Sequence, residues 1–79
     1  MKAIEVLKLL EEPESYITEF YDYTKHKREL SLIVNDADIY DLHWKVFNQL
    51  LENKKIYQVS TISTELPSTE TVYYKSYSC

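Results

Sequence analysis

Residues 35–45 read NDADIYDLHWK, and this stretch decides how the middle of the chain folds. Asn35, Asp36 and Asp38 have short polar side chains that accept hydrogen bonds from the free N–H groups at the start of a helix. Beyond them, apolar residues recur at helical spacing and share one side of a helix: Ile39, Leu42, Val46, Phe47, Leu50 and Leu51. The pattern predicts a helix over residues 39–53 that is capped by this acidic stretch.

The residues before this stretch predict two further helices. AIEVLKLL, residues 3–10, has a broad apolar arc that is typical of an amphipathic helix. Pro13 suits the start of a second helix because it has no N–H to donate. This second helix is expected to end near the basic run KHKR, residues 25–28, and its apolar side would carry Tyr16, Ile17, Phe20, Tyr21 and Tyr23.

Strands are indicated at the end of the chain, and one segment is ambiguous. IYQVSTIST, residues 56–64, and TVYYKSY, residues 71–77, are rich in β-branched and aromatic residues and predict a hairpin that turns at ELPSTE, residues 65–70. RELSLIV, residues 28–34, fits a short helix or a short strand, because its apolar residues satisfy both periods.

The composition describes one small domain over residues 1–79 and excludes several kinds of site. Glycine is absent, so the glycine-rich loops that bind nucleotide phosphates cannot form. The single cysteine, Cys79, permits no disulfide within the chain, and His26 and His43 lack metal-ligand spacing. We expect no cofactor and no metal. The sequence has no apolar run of membrane-spanning length, so we expect no membrane contact and a cytoplasmic location.

Residues 28–77 resemble a winged helix-turn-helix domain. The resemblance is closest at FNQLLENKKIYQVST, residues 47–61, where a helix ends in polar residues and a strand leads into a hairpin. It implies an α+β fold, a small winged-helix-like domain in which N-terminal helices are followed by a C-terminal β-hairpin. The turn before residue 40 is longer than the family's usual turn and lacks its customary glycine.

The resemblance also implies a nucleic-acid-binding surface. The polar face of helix 39–53 would enter the major groove, with Lys45, Asn48 and Gln49 as base or phosphate donors and Tyr40 near the DNA backbone. A separate candidate is a phosphate-binding patch formed by Lys54 and Lys55 with the basic run KHKR, for which the alternative is a solvated helix end. Two features oppose this interpretation. Asp36, Asp38 and Asp41 would repel phosphate, and the chain has a net charge of -4. The alternative is that the aspartates cap an ordinary helix with a solvated polar face.

Other residues point to protein contact. Trp44 lies at the edge of the apolar arc, where a half-exposed tryptophan can anchor a partner, whereas His43 falls inside the arc and is expected to be partly buried. Glu11, Glu12 and Glu19 belong to an acidic surface that would suit a basic protein partner. Homodimerisation would use the surplus of apolar and tyrosine side chains and enlarge a small core.

Two functional hypotheses follow. The first is a small nonenzymatic regulator of winged-helix type that binds DNA to control transcription. The second is an acidic inhibitor or adaptor, of the kind made by a virus or phage, that acts by protein contact. An enzyme is not expected, because no nucleophile, base and orienting group can be named together.

Overall fold

In the computed structural model, which describes residues 2–65 and 68–77, the chain forms a five-stranded antiparallel sheet with two helices on one face. The strand order is β3-β2-β1-β5-β4, which places β1 at the centre and β3 and β4 at the edges. The elements are α1 Ala3–Leu10, β1 Tyr16–Asp22, β2 Lys27–Val34, β3 Asp38–Asp41, α2 Trp44–Glu52, β4 Ile56–Thr64 and β5 Thr69–Ser76. The prediction of a winged-helix-like α+β fold is therefore wrong.

The segment predicted as a second helix is the central strand of the sheet. Residues 11–14 form a turn that contains Pro13, and Glu14 has a left-handed backbone with φ of 57°. β1 follows at once and pairs on both sides, with β2 and with β5. Its sequence, YITEFYD, is rich in aromatic and β-branched residues, which favour strands. Pairing on both sides outweighed the helical spacing of its apolar residues.

The basic run KHKR lies in and after a hairpin turn rather than at a helix end. The Asp22 carboxylate accepts hydrogen bonds from the backbone N–H groups of Thr24 and Lys25, at 3.0 and 3.2 Å. His26 then takes a left-handed conformation with φ of 53°, and β2 begins at Lys27. Residues 28–34, for which the sequence allowed a helix or a strand, are part of β2.

The acidic stretch that was expected to cap a helix forms a second hairpin turn. Asn35 and Asp36 have φ values of 56° and 57°, and the N–H of Ala37 donates to the carbonyl of Val34 at 3.1 Å. Two successive left-handed residues closed by this bond make a type I′ turn, which asparagine and aspartate tolerate better than most residues. Asp38 and Asp41 are the ends of β3.

The helix predicted from residue 39 begins at Trp44 instead and ends at Glu52. Its N-terminal cap is His43, whose Nδ1 accepts from the backbone N–H of Lys45 at 3.1 Å. His43 is exposed, so the prediction that it is partly buried is wrong. Ile39 was assigned to the buried arc of this helix, but it lies on β3 and is 70% exposed.

Two sequence predictions are confirmed by the described residues. α1 occupies residues 3–10 as predicted, and the C-terminal hairpin forms with β4 at the predicted residues 56–64 and β5 at 69–76 rather than at 71–77. Residues 66 and 67 of the predicted turn lie outside the described residues. The pairing of β4 with β5 shifts register between Gln58 and Ser60, as at a β-bulge.

The core lies between the two helices and one face of the sheet. Phe47 of α2 packs edge-on against Tyr74 of β5, with ring centroids 5.0 Å apart. The sheet contributes alternate residues, as expected for a sheet buried on one face. The buried apolar residues are Val6, Leu10, Ile17, Leu30, Leu32, Val34, Leu42, Phe47, Leu50, Ile56, Val72 and Tyr74.

Candidate functional site

The sheet face without helices, here called the open face, exposes a contiguous group of apolar side chains. Ile39, Ile33 and Tyr16 are successive cross-strand partners on β3, β2 and β1, so their side chains form a row on the same face. Tyr73 of β5 lies opposite Thr18, one step along β1, and its ring meets that of Tyr16 edge-on with centroids 5.7 Å apart. We call Tyr16, Phe20, Ile33, Ile39 and Tyr73 the open-face patch.

Phe20 completes this patch at the next position along β1. It pairs with Glu29 on one side and Thr71 on the other, and it is half-buried although α1 and α2 both lie on the other face of the sheet. Tyr16, Ile33 and Tyr73 are also half-buried, whereas Ile39 is exposed. Hydrophobic residues scattered singly over a surface are ordinary, but a contiguous group rimmed by polar residues is typical of an interaction site.

Carboxylates border the patch on the side of β2 and β3. Asp41 lies opposite Ser31, and Glu29 lies opposite Phe20, which places both carboxylates on the open face. At the hairpin turn, Asp36 accepts a hydrogen bond of 3.0 Å from the hydroxyl of Tyr16. Partial burial, with the bond to Asp36 adding to it, raises the pKa of Tyr16 above its ordinary value of 10.0. The border on the β5 side carries Lys75.

A second polar group lies on the helix side of the sheet. The guanidinium of Arg28 makes an ion pair with Glu19, and the Arg28 Nε donates to the same carboxylate at 2.7 Å. The Tyr74 hydroxyl donates to the other oxygen of Glu19 at 3.4 Å. Burial, and then the nearby Glu19 charge, raise the pKa of Tyr74. The Arg28 guanidinium also lies 5.6 Å from the centre of the Phe47 ring, so the polar group of Arg28, Glu19 and Tyr74 contacts the core.

The residues predicted to bind nucleic acid are spread over the molecule. Lys45 lies at the start of α2, with its Nζ 5.8 Å from the centre of the Trp44 ring. Asn48 and Gln49 follow on α2, Tyr40 lies on the edge strand β3, and Lys54 and Lys55 precede β4.

The basic run and the Lys54–Lys55 pair lie at opposite ends of the sheet. Ile56, the residue after Lys55, pairs with Ser76 near the start of β1, whereas the basic run follows the end of β1. β1 has 7 residues, which span about 20 Å at the usual rise of a strand. One continuous cationic surface does not result from this arrangement.

The residues predicted to bind a protein partner also lie apart. Trp44 is 51% exposed and stacks with His43, with ring centroids 5.8 Å apart. Glu11 and Glu12 line a groove of about 490 Å³ between the end of α1 and the β4–β5 pair. Glu19 is engaged by Arg28 and Tyr74. Glu19 therefore belongs to a structural cluster rather than to the acidic groove.

Sequence reasoning missed the open-face patch. Tyr16 and Phe20 were assigned to the apolar side of a helix, and Ile39 to the core. The signal available was the alternation of Tyr16, Thr18 and Phe20 on one side of an extended chain with Ile17 on the other, which is the period of a strand. That alternation becomes decisive only when the flanking turns are known.

Among the described residues, no group of three or more histidine, cysteine, aspartate or glutamate side chains is placed to hold a metal ion. Within residues 2–65 and 68–77, no helix is long and apolar enough to cross a membrane. Comparisons with models of protein families, with curated proteins and with solved structures find no match to this chain.

Proposed function

We propose that this chain is a nonenzymatic inhibitor or adaptor that acts by binding another protein through the open-face patch. The observation that carries the proposal is the uncovered row Ile39, Ile33 and Tyr16, in which Ile39 is 70% exposed. Apolar and aromatic side chains at the centre of a patch, with polar residues around it, are the usual anatomy of a protein interface. A face of this kind acts by covering or bridging the surface of its partner.

The carboxylates around the open-face patch indicate which charge the partner carries. Asp36, Asp41 and Glu29 border the patch, and the whole chain carries a net charge of -4. A partner that presents an apolar anchor flanked by lysine or arginine would match both the patch and its border. The proposed setting is the cytoplasm, because the single cysteine of the sequence can form no disulfide within the chain.

The distribution of cations favours protein contact over DNA binding. Lys54 and Lys55 lie at one end of the sheet and the basic run at the other, and Lys45 stands over Trp44. Affinity for DNA requires several cations on one surface that meets the phosphates together. The edge strand β3, which carries Tyr40, begins and ends with an aspartate.

Selection from a random peptide display library tests the proposal, because it reports the chemistry that the patch recognises. We expect enriched peptides to combine one or more large apolar residues with lysine or arginine. Ile39→Ser should weaken binding of an enriched peptide by about tenfold, as expected for loss of an exposed hot spot. The matched control is Ile4→Ser on α1, where an isoleucine is also exposed, at 64%, and the affinity should stay within about twofold.

Two outcomes would overturn the proposal. One is the absence of any enriched peptide at micromolar affinity, and the other is an equal loss of binding in Ile39→Ser and Ile4→Ser. A parallel titration with mixed-sequence duplex DNA over a salt series separates the competing function. DNA binding that weakens steeply with salt and is lost in Lys45→Glu would replace protein contact with DNA recognition.

A further inference from the structure

The edge strand β4 is long, exposed and uncharged. It has 9 residues, of which only Ile56 is buried, and its exposed apolar side chains include Val59 and Ile62. The sequence IYQVSTIST contains neither a charged residue nor a proline. Along residues 57–63, such an edge offers backbone N–H and C=O groups to another strand, and proteins usually protect it with charge or proline.

The opposite edge of the sheet is built differently. β3 has 4 residues, and two of them are the exposed aspartates Asp38 and Asp41. Two copies of β3 would bring these like charges together, so this edge resists pairing with itself. The contrast marks β4 as the edge that is open to addition of a strand. The register shift at Gln58–Ser60 bends β4 but leaves Ser60–Thr64 in regular pairing with β5.

The charges that flank β4 decide which strand fits it. Lys54 and Lys55 precede the strand and Glu65 follows it, and all three are exposed. If two copies of β4 align antiparallel over their full length, the lysines of each copy lie beside Glu65 of the other. A parallel alignment would instead place lysine beside lysine. The strand is thus complementary to itself in one orientation, and a two-fold axis repeats the favourable contact at both ends.

We propose that β4 pairs antiparallel with β4 of a second copy of this chain, so that the two sheets become one continuous sheet in a symmetric dimer. The interface uses backbone hydrogen bonds along residues 57–63 for affinity and the flanking charges for orientation. It is independent of the open-face patch, because it lies at the edge of the sheet rather than on its face.

Sedimentation equilibrium of the wild type and of charge-reversal variants tests this interface. The wild type should pass from monomer to dimer between micromolar and near-millimolar concentration. Glu65→Lys places lysine beside the lysines of the other copy at both ends of the interface, so the dimer Kd should rise by about tenfold. Adding Lys54→Glu and Lys55→Glu to Glu65→Lys should return the Kd to within about threefold of the wild type.

Recovery of the wild-type Kd in the triple variant would report a contact between two copies of the chain. Lys55 and Glu65 of one chain are separated by the length of β4, about 30 Å at the rise of a strand, so they cannot compensate each other within a monomer. Glu5→Lys, at an exposed position in the first turn of α1, makes the same change in net charge away from β4 and should leave the Kd unchanged.

Three results would overturn the proposal. They are a wild type that stays monomeric at every concentration, a dimer that is insensitive to Glu65→Lys, and a failure of the combined reversals to restore association. A monomer that nevertheless binds an uncharged strand-forming peptide at β4 would assign the edge to a foreign strand instead.

Discussion

Tyr74 links the core of the domain to its polar cluster. Its ring packs against Phe47, and its hydroxyl donates to Glu19, which also pairs with Arg28. Because burial and the Glu19 charge both oppose the tyrosinate, the pKa of Tyr74 is raised above 10.0 in the folded protein. The folded state therefore holds this proton more tightly than the unfolded chain does.

This difference predicts how stability depends on alkaline pH. The contribution of Tyr74 is fully present below the unfolded pKa and is lost as pH rises through the folded pKa. The free energy of unfolding should thus fall from about pH 10 upward, and Tyr74→Phe should make the fall less steep. Urea denaturation at a series of pH values measures both slopes. Tyr16, whose pKa is also raised, keeps part of the effect. Equal slopes for the two proteins would contradict the prediction.

For the neighbouring residues His43 and Trp44, the sequence predicted the exposure of one side chain and not of the other. Trp44 was expected to be half-exposed, and it is. His43 was expected to be partly buried, but it is exposed and caps α2 through Nδ1. The helical arc that placed His43 in the core required a helix from residue 39. The chain is extended as far as Asp41, so helical spacing does not indicate which side chains of residues 39–41 are buried.

At the scale of elements, two hairpin turns account for the main errors. The stretches at 23–26 and 35–37 contain no glycine, and their polar residues suit helix ends as well as turns. Asn35 and Asp36 occupy the left-handed positions of a type I′ turn, of which the second is most often glycine. The C-terminal hairpin was predictable because β-branched residues flank a turn that contains proline. α1 was predictable because its apolar arc is broad and uninterrupted.

The type I′ turn carries a prediction of its own. Asn35→Ala should destabilise the domain by about 1 kcal/mol, because alanine lacks the tolerance of asparagine for a left-handed backbone. Asn35→Gly is the matched control and should be neutral or slightly stabilising, since glycine adopts this conformation without steric cost. Chemical denaturation of the three proteins measures the differences. A loss of stability in Asn35→Gly equal to that in Asn35→Ala would show that the Asn35 side chain, and not its backbone conformation, matters.

At the scale of the whole molecule, the strand order could not be predicted from the sequence. β1 pairs with β5, and these strands are separated along the chain by three strands and a helix. Local patterns describe each element but contain little about which distant elements meet. The open-face patch depends on this order, because Tyr73 reaches Tyr16 only when β5 lies beside β1. The open-face patch could therefore not be predicted from the sequence, for the same reason that the strand order could not.

The two proposed surfaces combine in one molecule to give a further prediction. Antiparallel pairing at β4 uses a two-fold axis perpendicular to the sheet, so both open faces of the dimer point to the same side. Such a dimer would be bivalent towards a surface that carries many copies of a partner peptide.

Wild type should dissociate from a densely coated surface at least about tenfold more slowly than Glu65→Lys, through avidity. Both proteins should bind the free peptide with equal affinity, because Glu65 lies outside the open-face patch. Surface plasmon resonance at high and low peptide density measures the first comparison, and calorimetry in solution measures the second. Equal dissociation rates at high density would mean that the two faces do not point the same way or that the dimer does not form, and sedimentation of the same samples distinguishes these two cases.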